Sequence, residues 1–225
     1  MVLEVKNVSY AYKSQKEKEI LKNVSMQFEE KKFYTIVGAS GAGKTTFLSL
    51  LAGLDMPLEG TILYDGEDIQ AKGLNYHRKH HVSLVFQNYN LIDYLTTEEN
   101  VRLGGPKKPQ DLLEKVSIPQ EDWKRNVLQL SGGQQQRVAI ARALASSAKV
   151  LLADEPTGNL DESTAEEIIE LLKRTAHELG KCVIVVTHSK YLAAQADEII
   201  MIKDGSIESA AEVFPGREDV RNIYG

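Results

Sequence analysis

The chain has little cysteine, no long apolar run and no block of basic residues, and each shortage excludes a class of protein. Cys182 is the one cysteine among 225 residues, so an intrachain disulfide is impossible and a reducing compartment is expected. No apolar run approaches the roughly 20 residues needed to span a bilayer. Charge enters within Met1–Val5, so no signal peptide is expected. We therefore expect any action at a membrane to require a partner.

The composition and charge are those of an ordinary soluble domain. Hydrophobic residues make up 42% of the chain and charged residues 26%, with a net charge of -5. Scattered basic residues and a negative net charge argue against nucleic-acid binding through a broad basic surface. The length suggests one domain with a smaller appended lobe, and no internal repeat or heptad tract is present.

The N-terminal part predicts an antiparallel β region. Leu3–Val8 and Val24–Phe28 alternate apolar and polar residues with period two, as half-buried strands do. Thr61–Tyr64 predicts another strand, because Asp65-Gly66 follows it as a turn signal. The charged run Lys13–Glu19 between the first two strands is interpreted as a solvated loop.

The central part alternates apolar strands with helices, which predicts an α/β fold with a mainly parallel sheet covered on both faces. A helix is expected from about Lys44 to Ala52. Another is expected to begin with a capping box at Ser163 and Glu166 and to end at Gly180. The predicted core strands are Phe33–Val37, Val150–Ala153, Val183–Val186 and Glu198–Ile202.

Residues 88–130 differ from this pattern and predict a small helical subdomain inserted in the α/β core. Glycines and prolines interrupt the segment at Gly104-Gly105-Pro106 and Pro109, while Leu112, Leu113 and Val116 suggest a short helix. We therefore expect residues 1–87 and 131–208 to form the core and residues 209–225 to form a weakly structured tail.

Gly38–Thr45 matches the P-loop pattern in every required position, with an apolar strand before it and a helix after it. Its glycines allow backbone N–H groups to turn toward phosphates. Lys44 would supply positive charge to the β- and γ-phosphates, and Thr45 would offer a hydroxyl to Mg²⁺. A chance glycine-rich turn is a much weaker explanation in this context.

Other polar residues end apolar strands. Asp154-Glu155 closes one strand, at the rim where open α/β sheets bind ligands, so Asp154 is expected to hold Mg²⁺ and Glu155 to activate water. Gln87 and His188 end two more strands and could reach the same place, although each alone is more often an ordinary polar or structural residue. Tyr12 could stack on a base, although packing is the usual role.

The remaining histidines and the cysteine carry no predicted chemistry. Cys182 is interpreted as a buried strand residue within an apolar run. The other four histidines are interpreted as surface residues: His77, His80, His81 and His177.

Leu130–Arg137, with the sequence LSGGQQQR, predicts a second phosphate-binding element. A serine, two glycines and polar residues on a first helical turn would expose N–H groups, which bind anions. The chain has only one set of catalytic carboxylates, so the two elements are expected to serve two nucleotides shared between two copies.

Together, and in this order, these motifs resemble the nucleotide-binding domain of ABC transporters from Leu3 to about Ile207. The resemblance makes Gly38–Thr45 the Walker A loop, Gln87 the Q-loop residue, Leu130–Gln134 the signature motif, Val150–Asp154 the Walker B strand, Glu155 the catalytic glutamate, Gly158–Asp161 the D-loop, His188 the switch histidine and Tyr12 the adenine-stacking residue. The whole chain would then be a single ATPase domain using ATP and Mg²⁺.

The resemblance assigns residues to three roles. Glu155, His188 and Gln87 would be catalytic, and Thr45, Gln87 and Asp154 would hold Mg²⁺. The nucleotide would be bound by Tyr12, Gly38, Ala39, Ser40, Gly41, Ala42, Gly43, Lys44, Thr45, Thr46, Ser131, Gly132, Gly133, Gln134 and Asp161.

A finer resemblance links the signature, the run Ala153–Asp161 and the segment Leu91–Asn100 to the ATPase subunits of lipoprotein-release and macrolide-exporter systems. It implies a homodimer on ATP binding, an integral membrane permease subunit as partner and a place on the cytoplasmic face of the plasma membrane. The transported substrate, a peptide, lipoprotein or drug-like molecule, would not touch this chain. The segment between Asn100 and Leu130 departs from that subfamily in being shorter.

Two alternatives stay open at this point. One is a non-transport ABC-type ATPase acting on DNA or ribosomes, although such relatives usually carry long coiled coils or two ATPase domains. The other is a P-loop phosphotransferase, which would explain Gly38–Thr45 but not Gln87 or the signature octet.

Overall fold

The structure, a computed structural model, describes residues 1–12 and 19–208. Most of the charged run after Tyr12 and the expected tail at 209–225 lie outside the described residues. Within the described part, strands and helices build two sheets with helices packed around them.

The first sheet is antiparallel, as the period-two alternation predicts, and has the strand order β2-β1-β4-β5. Val5 pairs with Met26 on one side and with Ile62 on the other. The strands are β1 (Leu3–Tyr10), β2 (Leu21–Phe28), β4 (Glu59–Tyr64) and β5 (Glu67–Asp68).

The second sheet has six strands in the order β10-β9-β3-β8-β7-β6. All its pairs are parallel except β9 with β10, which pair antiparallel. The mainly parallel core sheet predicted from the sequence is therefore confirmed. Its strands are β3 (Phe33–Val37), β6 (Val82–Val85), β7 (Val150–Asp154), β8 (Cys182–Val186), β9 (Glu198–Lys203) and β10 (Ser206–Glu208).

Seven α-helices connect and cover the strands in the described part of the chain. They are α1 (Lys44–Leu51), α2 (Leu74–His80), α3 (Thr97–Arg102), α4 (Pro109–Lys115), α5 (Gly132–Ala145), α6 (Glu162–His177) and α7 (Lys190–Ala193). None of the helices in residues 1–12 and 19–208 has the length and hydropathy to cross a membrane.

The parallel sheet is apolar on both faces because successive side chains point to opposite sides. Tyr34 and Ile184 belong to one core, shared with α1 and the antiparallel sheet. Phe33 and Val183, their neighbours along the strands, belong to the other core, shared with α4, α5 and α6. With both faces buried, polar chemistry is confined to the strand ends.

Residues 88–130 contain helices α3 and α4 and turns, with only one isolated bridge, between Thr96 and Asn126. A capping box formed by Thr96 and Glu99 begins α3. The Gly104-Gly105 pair lies against the end of α5, where a Cβ on Gly104 would be 1.8 Å from the carbonyl oxygen of Arg142. The glycines therefore permit a close backbone approach that any side chain would block.

Three local expectations are wrong. Helix α6 is capped by Asp161, whose side chain accepts from the backbone N–H of Thr164, and not by Ser163. Two residues, Glu178 and Leu179, separate the end of α6 from Gly180, so Leu179 is exposed and lies outside the helix.

His77 is the third error, because it is fully buried and not on the surface. Its Nε2 lies 2.9 Å from the carbonyl oxygen of Leu51, and its Nδ1 lies 3.1 Å from Nδ1 of His81. Burial lowers the pKa of His77. His77 is thus a neutral residue of α2 that packs against the end of α1.

Candidate functional site

The carboxyl ends of three neighbouring strands bring the predicted catalytic residues together. Gln87 follows β6, Asp154 and Glu155 end and follow β7, and His188 follows β8. Together with the loop after β3 they line a cavity of about 730 Å³. Parallel strands deliver their following loops to the same edge, so residues as far apart in sequence as Lys44 and His188 share one site.

The loop between β3 and α1 requires glycine for two reasons. Gly38 has φ 151°, and a Cβ there would lie 2.1 Å from the carbonyl oxygen of Ile202. Gly43 has φ 104° and caps α1 without a side chain. The loop therefore packs directly on β9 and presents backbone groups at the start of α1, the arrangement that binds phosphates.

Lys44 is 5% exposed, and its Nζ donates to the carbonyl oxygens of Gly38 (2.9 Å) and Ala39 (3.0 Å). Burial lowers its pKa, whereas Glu155 and Asp154 act in the opposite direction. The ammonium group is therefore held inside the loop, close to two carboxyl groups, where a phosphate chain would meet it.

Asp154 and Thr45 face each other, with Thr45 Oγ1 lying 3.4 Å from Asp154 Oδ1. Burial raises the pKa of Asp154, while the Thr45 hydroxyl and the charge of Lys44 oppose that rise. A hydroxyl and a carboxylate beside a lysine are the oxygen ligands and the charge balance that a Mg²⁺–phosphate pair requires.

Glu155 adopts φ 46°, a left-handed conformation that is costly for a non-glycine residue. One carboxylate oxygen, Oε2, accepts from the backbone N–H of His188 at 3.2 Å. The other, Oε1, is buried without a hydrogen-bond partner, although Nε2 of His188 lies 3.4 Å away. A strained residue with a free buried carboxylate oxygen is suited to accept a proton from water.

Gln87 is held by the segment that follows Glu155. Its Nε2 donates to Asn159 Oδ1 at 3.2 Å, and Asn159 Nδ2 donates back to the carbonyl oxygen of Gln87 at the same distance. A Cβ on Gly158 would lie 2.8 Å from Gln87 Nε2. The glutamine therefore lines the cavity while locked to the segment that leads into α6.

Tyr12 and Ile20 also line the cavity. The hydroxyl of Tyr12 shares a hydrogen bond with Thr46 Oγ1 at 2.9 Å, and its ring is 46% exposed. The exposed ring beside an aliphatic side chain offers a flat apolar surface on which a base can stack. The remaining predicted loop residues lie with it: Ser40 and Gly41 line this cavity, and Ala39 and Ala42 line the adjoining one.

The signature residues form a complete capping box at the start of α5. Gln134 N–H donates to Ser131 Oγ at 3.2 Å, and Ser131 N–H donates to Gln134 Oε1 at 3.0 Å. A Cβ on Gly133 would lie 2.3 Å from Cγ2 of Thr164, so α6 requires a glycine there. Within one chain these residues do not line the cavity that holds Lys44.

Asp161 lies apart from that cavity as well, and within this chain it is a helix cap. Its carboxylate accepts from Thr164 N–H (3.0 Å), from Thr164 Oγ1 (2.7 Å) and from Ser163 Oγ (2.7 Å). Hydrogen bonding, first of all from the Thr164 backbone, holds the pKa of Asp161 far below its usual range. The carboxylate therefore stays ionised beside the signature helix.

Sequence reasoning missed three residues that position the site. Arg142 on α5 donates to the carbonyl oxygens of Tyr89 (2.9 Å) and Asn90 (2.5 Å), just after Gln87. Asp122 accepts from Gln134 Nε2 at 2.8 Å. Asn159 holds Gln87 through two hydrogen bonds. Arg142 lies eleven positions after Ser131 on α5, and nothing in the sequence around it indicates a contact with the loop after Gln87.

The comparisons with known proteins agree with this geometry. The family profile described as ABC transporter matches residues 21–158. An ABC transporter ATP-binding protein of Bacillus subtilis, YclH, is 46% identical over 215 residues, covering 91% of this chain and 95% of YclH. This chain belongs to the ABC transporter ATP-binding family. It is an ATPase of the P-loop α/β class and the ATP-binding subunit of a transporter, so the predicted family and activity are confirmed.

Solved structures give the same result. The dimeric ABC transporter cassette MJ0796 is 39% identical, with a TM-score of 0.80 over 92% of this chain and 96% of that one. A second structure of that cassette is a post-hydrolysis state bound to ADP and Pi, with a TM-score of 0.81.

A further sequence relative is a fusion of an ATPase with a permease. The macrolide export ATP-binding/permease protein MacB of Aggregatibacter actinomycetemcomitans is 38% identical over 98% of this chain, which spans 36% of MacB.

Proposed function

We propose that two copies of this ABC ATPase close head to tail around two MgATP molecules and drive a separate membrane permease. Each nucleotide would lie between Gly38–Thr45 of one copy and Ser131–Gln134 of the other. The observation that carries this proposal is the separation, within one chain, of the two phosphate-binding elements. The catalytic cavity lacks the signature, and the signature lacks catalytic carboxylates.

The residues of the cavity divide the work of hydrolysis. Lys44 would neutralise the β- and γ-phosphates, and Thr45, Asp154 and Gln87 would hold Mg²⁺, which when bound screens the phosphate charge. Glu155 would accept the proton of the attacking water, and its strained backbone and the N–H of His188 aim the carboxylate into the cavity. Tyr12 and Thr46 would hold the base end of the nucleotide.

The signature would contribute binding across the dimer. Ser131 is exposed at a helix N-terminus, where hydroxyl and N–H groups favour an anion. Gly132 and Gly133 keep that helix start bare, and Asp161 follows the segment that holds Gln87. ATP would then join the two copies, and hydrolysis would remove that connection.

A dimerisation experiment tests the shared site. Glu155→Gln should form a dimer by size-exclusion chromatography with ATP and a monomer without it. Adding Ser131→Arg should abolish this dimer while each chain still binds ATP through Gly38–Thr45. A double variant that still dimerises with ATP, or a Glu155→Gln chain that never does, would contradict the shared site.

Residues 88–130 form the proposed docking lobe for the permease, with residues 1–87 and 131–208 as the core. Tyr94 in this lobe is 84% exposed, and Leu91 and Leu95 beside it are partly exposed. Gln87 adjoins the lobe and would report the γ-phosphate to it. The protein would then work at the cytoplasmic face of the plasma membrane and would not touch the transported molecule.

Export of a peptide, lipoprotein or drug-like substrate is the proposed direction of transport. The support is the likeness to MacB, a macrolide export ATP-binding/permease protein. The alternative is a non-transport ATPase acting on nucleic acid or ribosomes. Affinity purification of the tagged chain from membranes decides between them: recovery of an integral membrane protein supports transport, and recovery of ribosomes or DNA alone overturns it.

A further inference from the structure

A second cavity, of about 340 Å³, lies at the opposite edge of the parallel sheet from the nucleotide cavity. Lys149 and Lys181 line it immediately before β7 and β8 begin. Asp154, in the nucleotide cavity, ends the same β7 strand five residues later. At about 3.3 Å per strand residue, the two cavities are separated by the length of the strand.

This second cavity collects positive charge. It is lined by four lysines, Lys107, Lys115, Lys149 and Lys181, and by a single carboxylate, Glu30. Lys149 is neutralised by Glu30 at 2.9 Å and by Asp65 at 3.2 Å. Among residues 1–12 and 19–208, the other three lysines form no ion pair. The cavity therefore has an excess of positive charge, with four lysines against the two carboxylates Glu30 and Asp65.

Lys181 is the buried member of this cluster, with 7% of its surface exposed. Its Nζ donates to the carbonyl oxygen of Ala148. Burial, followed by repulsion from Lys107, lowers the pKa of Lys181 to about 8. Burial and repulsion from Lys115 also lower the pKa of Lys107. Burying a cation without a counter-charge is costly. Repulsion between neighbouring lysines adds to this cost, because it destabilises their charged forms.

Packing and helix capping explain only part of the cluster. Lys107 Nζ donates to the carbonyl oxygen of Leu144 at 2.9 Å, in the last turn of α5, where a cation is favoured. That contact accounts for one lysine. Lys115 likewise lies in the last turn of α4, but neither helix end accounts for Lys181, whose charged form is destabilised by burial and by Lys107.

We propose that this cavity binds a compact, multivalent phosphate, whose charge would neutralise Lys107, Lys115 and Lys181 together. Lysine binds phosphate as a point charge without demanding a fixed orientation. The cavity is large enough for a diphosphate group. Lys107 precedes α4 and Lys115 ends it, whereas Lys181 immediately precedes β8 of the core sheet, so the bound phosphate would tie residues 88–130 to the core.

Calorimetric titration of the full chain with inorganic pyrophosphate tests this site. Saturating ADP is included to keep Gly38–Thr45 filled. Wild type should bind pyrophosphate, and Lys181→Gln and Lys107→Gln should each weaken binding at least tenfold. Lys108→Gln is the matched control, because it removes the same charge from the neighbouring residue, which does not line the cavity, and should change affinity less than twofold.

The source of the phosphate is distinguished by a second arm with phosphatidylglycerol vesicles. If the chain binds pyrophosphate and this binding requires Lys181, the ligand of the cavity is a free phosphate. If the chain binds the vesicles and this binding requires Lys181, the ligand is a lipid headgroup. Lys107 is far less buried than Lys181, so its variant should fold even where Lys181→Gln does not. Absence of binding in both arms, or equal loss in Lys108→Gln and Lys107→Gln, would overturn the proposal.

Discussion

The two edges of the parallel sheet both gather charged side chains, but they balance charge differently. At the carboxyl edge, Lys44 lies near Asp154 and Glu155, whose attraction opposes the lowering of its pKa by burial. At the amino edge, burial and repulsion from Lys107 both lower the pKa of Lys181. The carboxyl edge thus contains both signs of charge, as the proposed MgATP chemistry requires. Within residues 1–12 and 19–208, the lysine cavity at the amino edge has an excess of positive charge that a bound anion would balance.

Helix α5 connects the two edges. Its first turn meets Thr164, and Arg142 in its last turns holds the loop after Gln87. The carbonyl oxygen of Leu144, close to its end, accepts from Lys107. Helix α5 therefore contacts α6 at Thr164, the loop after Gln87 and the lysine cavity. Substitutions at the two edges and along α5 test the role of each of these three regions separately.

The largest expected effect is at the carboxyl edge. Glu155→Gln removes the carboxylate proposed to accept a proton from water, so ATP hydrolysis should fall by about a hundredfold to a thousandfold. ATP affinity, measured with a fluorescent nucleotide, should change only a few-fold because Lys44 is untouched. Glu162→Gln removes the same charge from an exposed position and should leave hydrolysis intact. Wild-type turnover by Glu155→Gln would refute the assigned base.

The sequence predicts the residues of an edge well when they lie within one short segment, and poorly when they come from distant parts of the chain. Gly38–Thr45 and Asp154-Glu155 were predicted because each lies within a short segment whose strand context is readable. The lysine cavity was not predicted, since Lys107 and Lys181 are 74 positions apart and line one cavity only in the folded chain, where Lys107 lies against the end of α5. His77 was misplaced because it lies among charged neighbours, although packing beneath α1 buries it.

A second effect is expected along α5, at the connection to the Gln87 loop. Arg142→Met keeps the aliphatic stem but removes two charge-assisted hydrogen bonds to Tyr89 and Asn90, both of which have positive φ. The free energy of unfolding should fall by about 2 to 4 kcal/mol, measured by denaturant titration. Arg102→Met is the control, since Arg102 is an exposed arginine paired with Glu98. An equal effect of both would show that the loop needs no such anchor.

The start of α5 should respond less strongly. Gly133→Ala places a Cβ 2.3 Å from Thr164 Cγ2, and such overpacking should cost about 1 to 3 kcal/mol of stability. Thr164→Ser removes that methyl group and keeps the hydroxyl that donates to Asp161. The double variant should therefore recover most of the loss. A double-mutant cycle with no coupling between these two positions would show that another contact excludes the side chain.

The smallest expected effect is at the amino edge, and it depends on pH. The folded pKa of Lys181, about 8, lies below the ordinary value of 10.5, so between these values the unfolded chain binds more protons and stability rises with pH. The destabilisation is therefore complete below pH 8 and disappears as pH approaches 10.5.

Lys181→Met lacks this titration. Its difference in unfolding free energy from wild type should shift in favour of wild type by about 1 to 2 kcal/mol between pH 7 and pH 10. Lys108→Met should show no such shift, and a constant difference for Lys181→Met would mean that Lys181 is solvated. Pyrophosphate at pH 7 should stabilise wild type but not Lys181→Met, because a bound anion provides a counter-charge for Lys181, which forms no ion pair within residues 1–12 and 19–208.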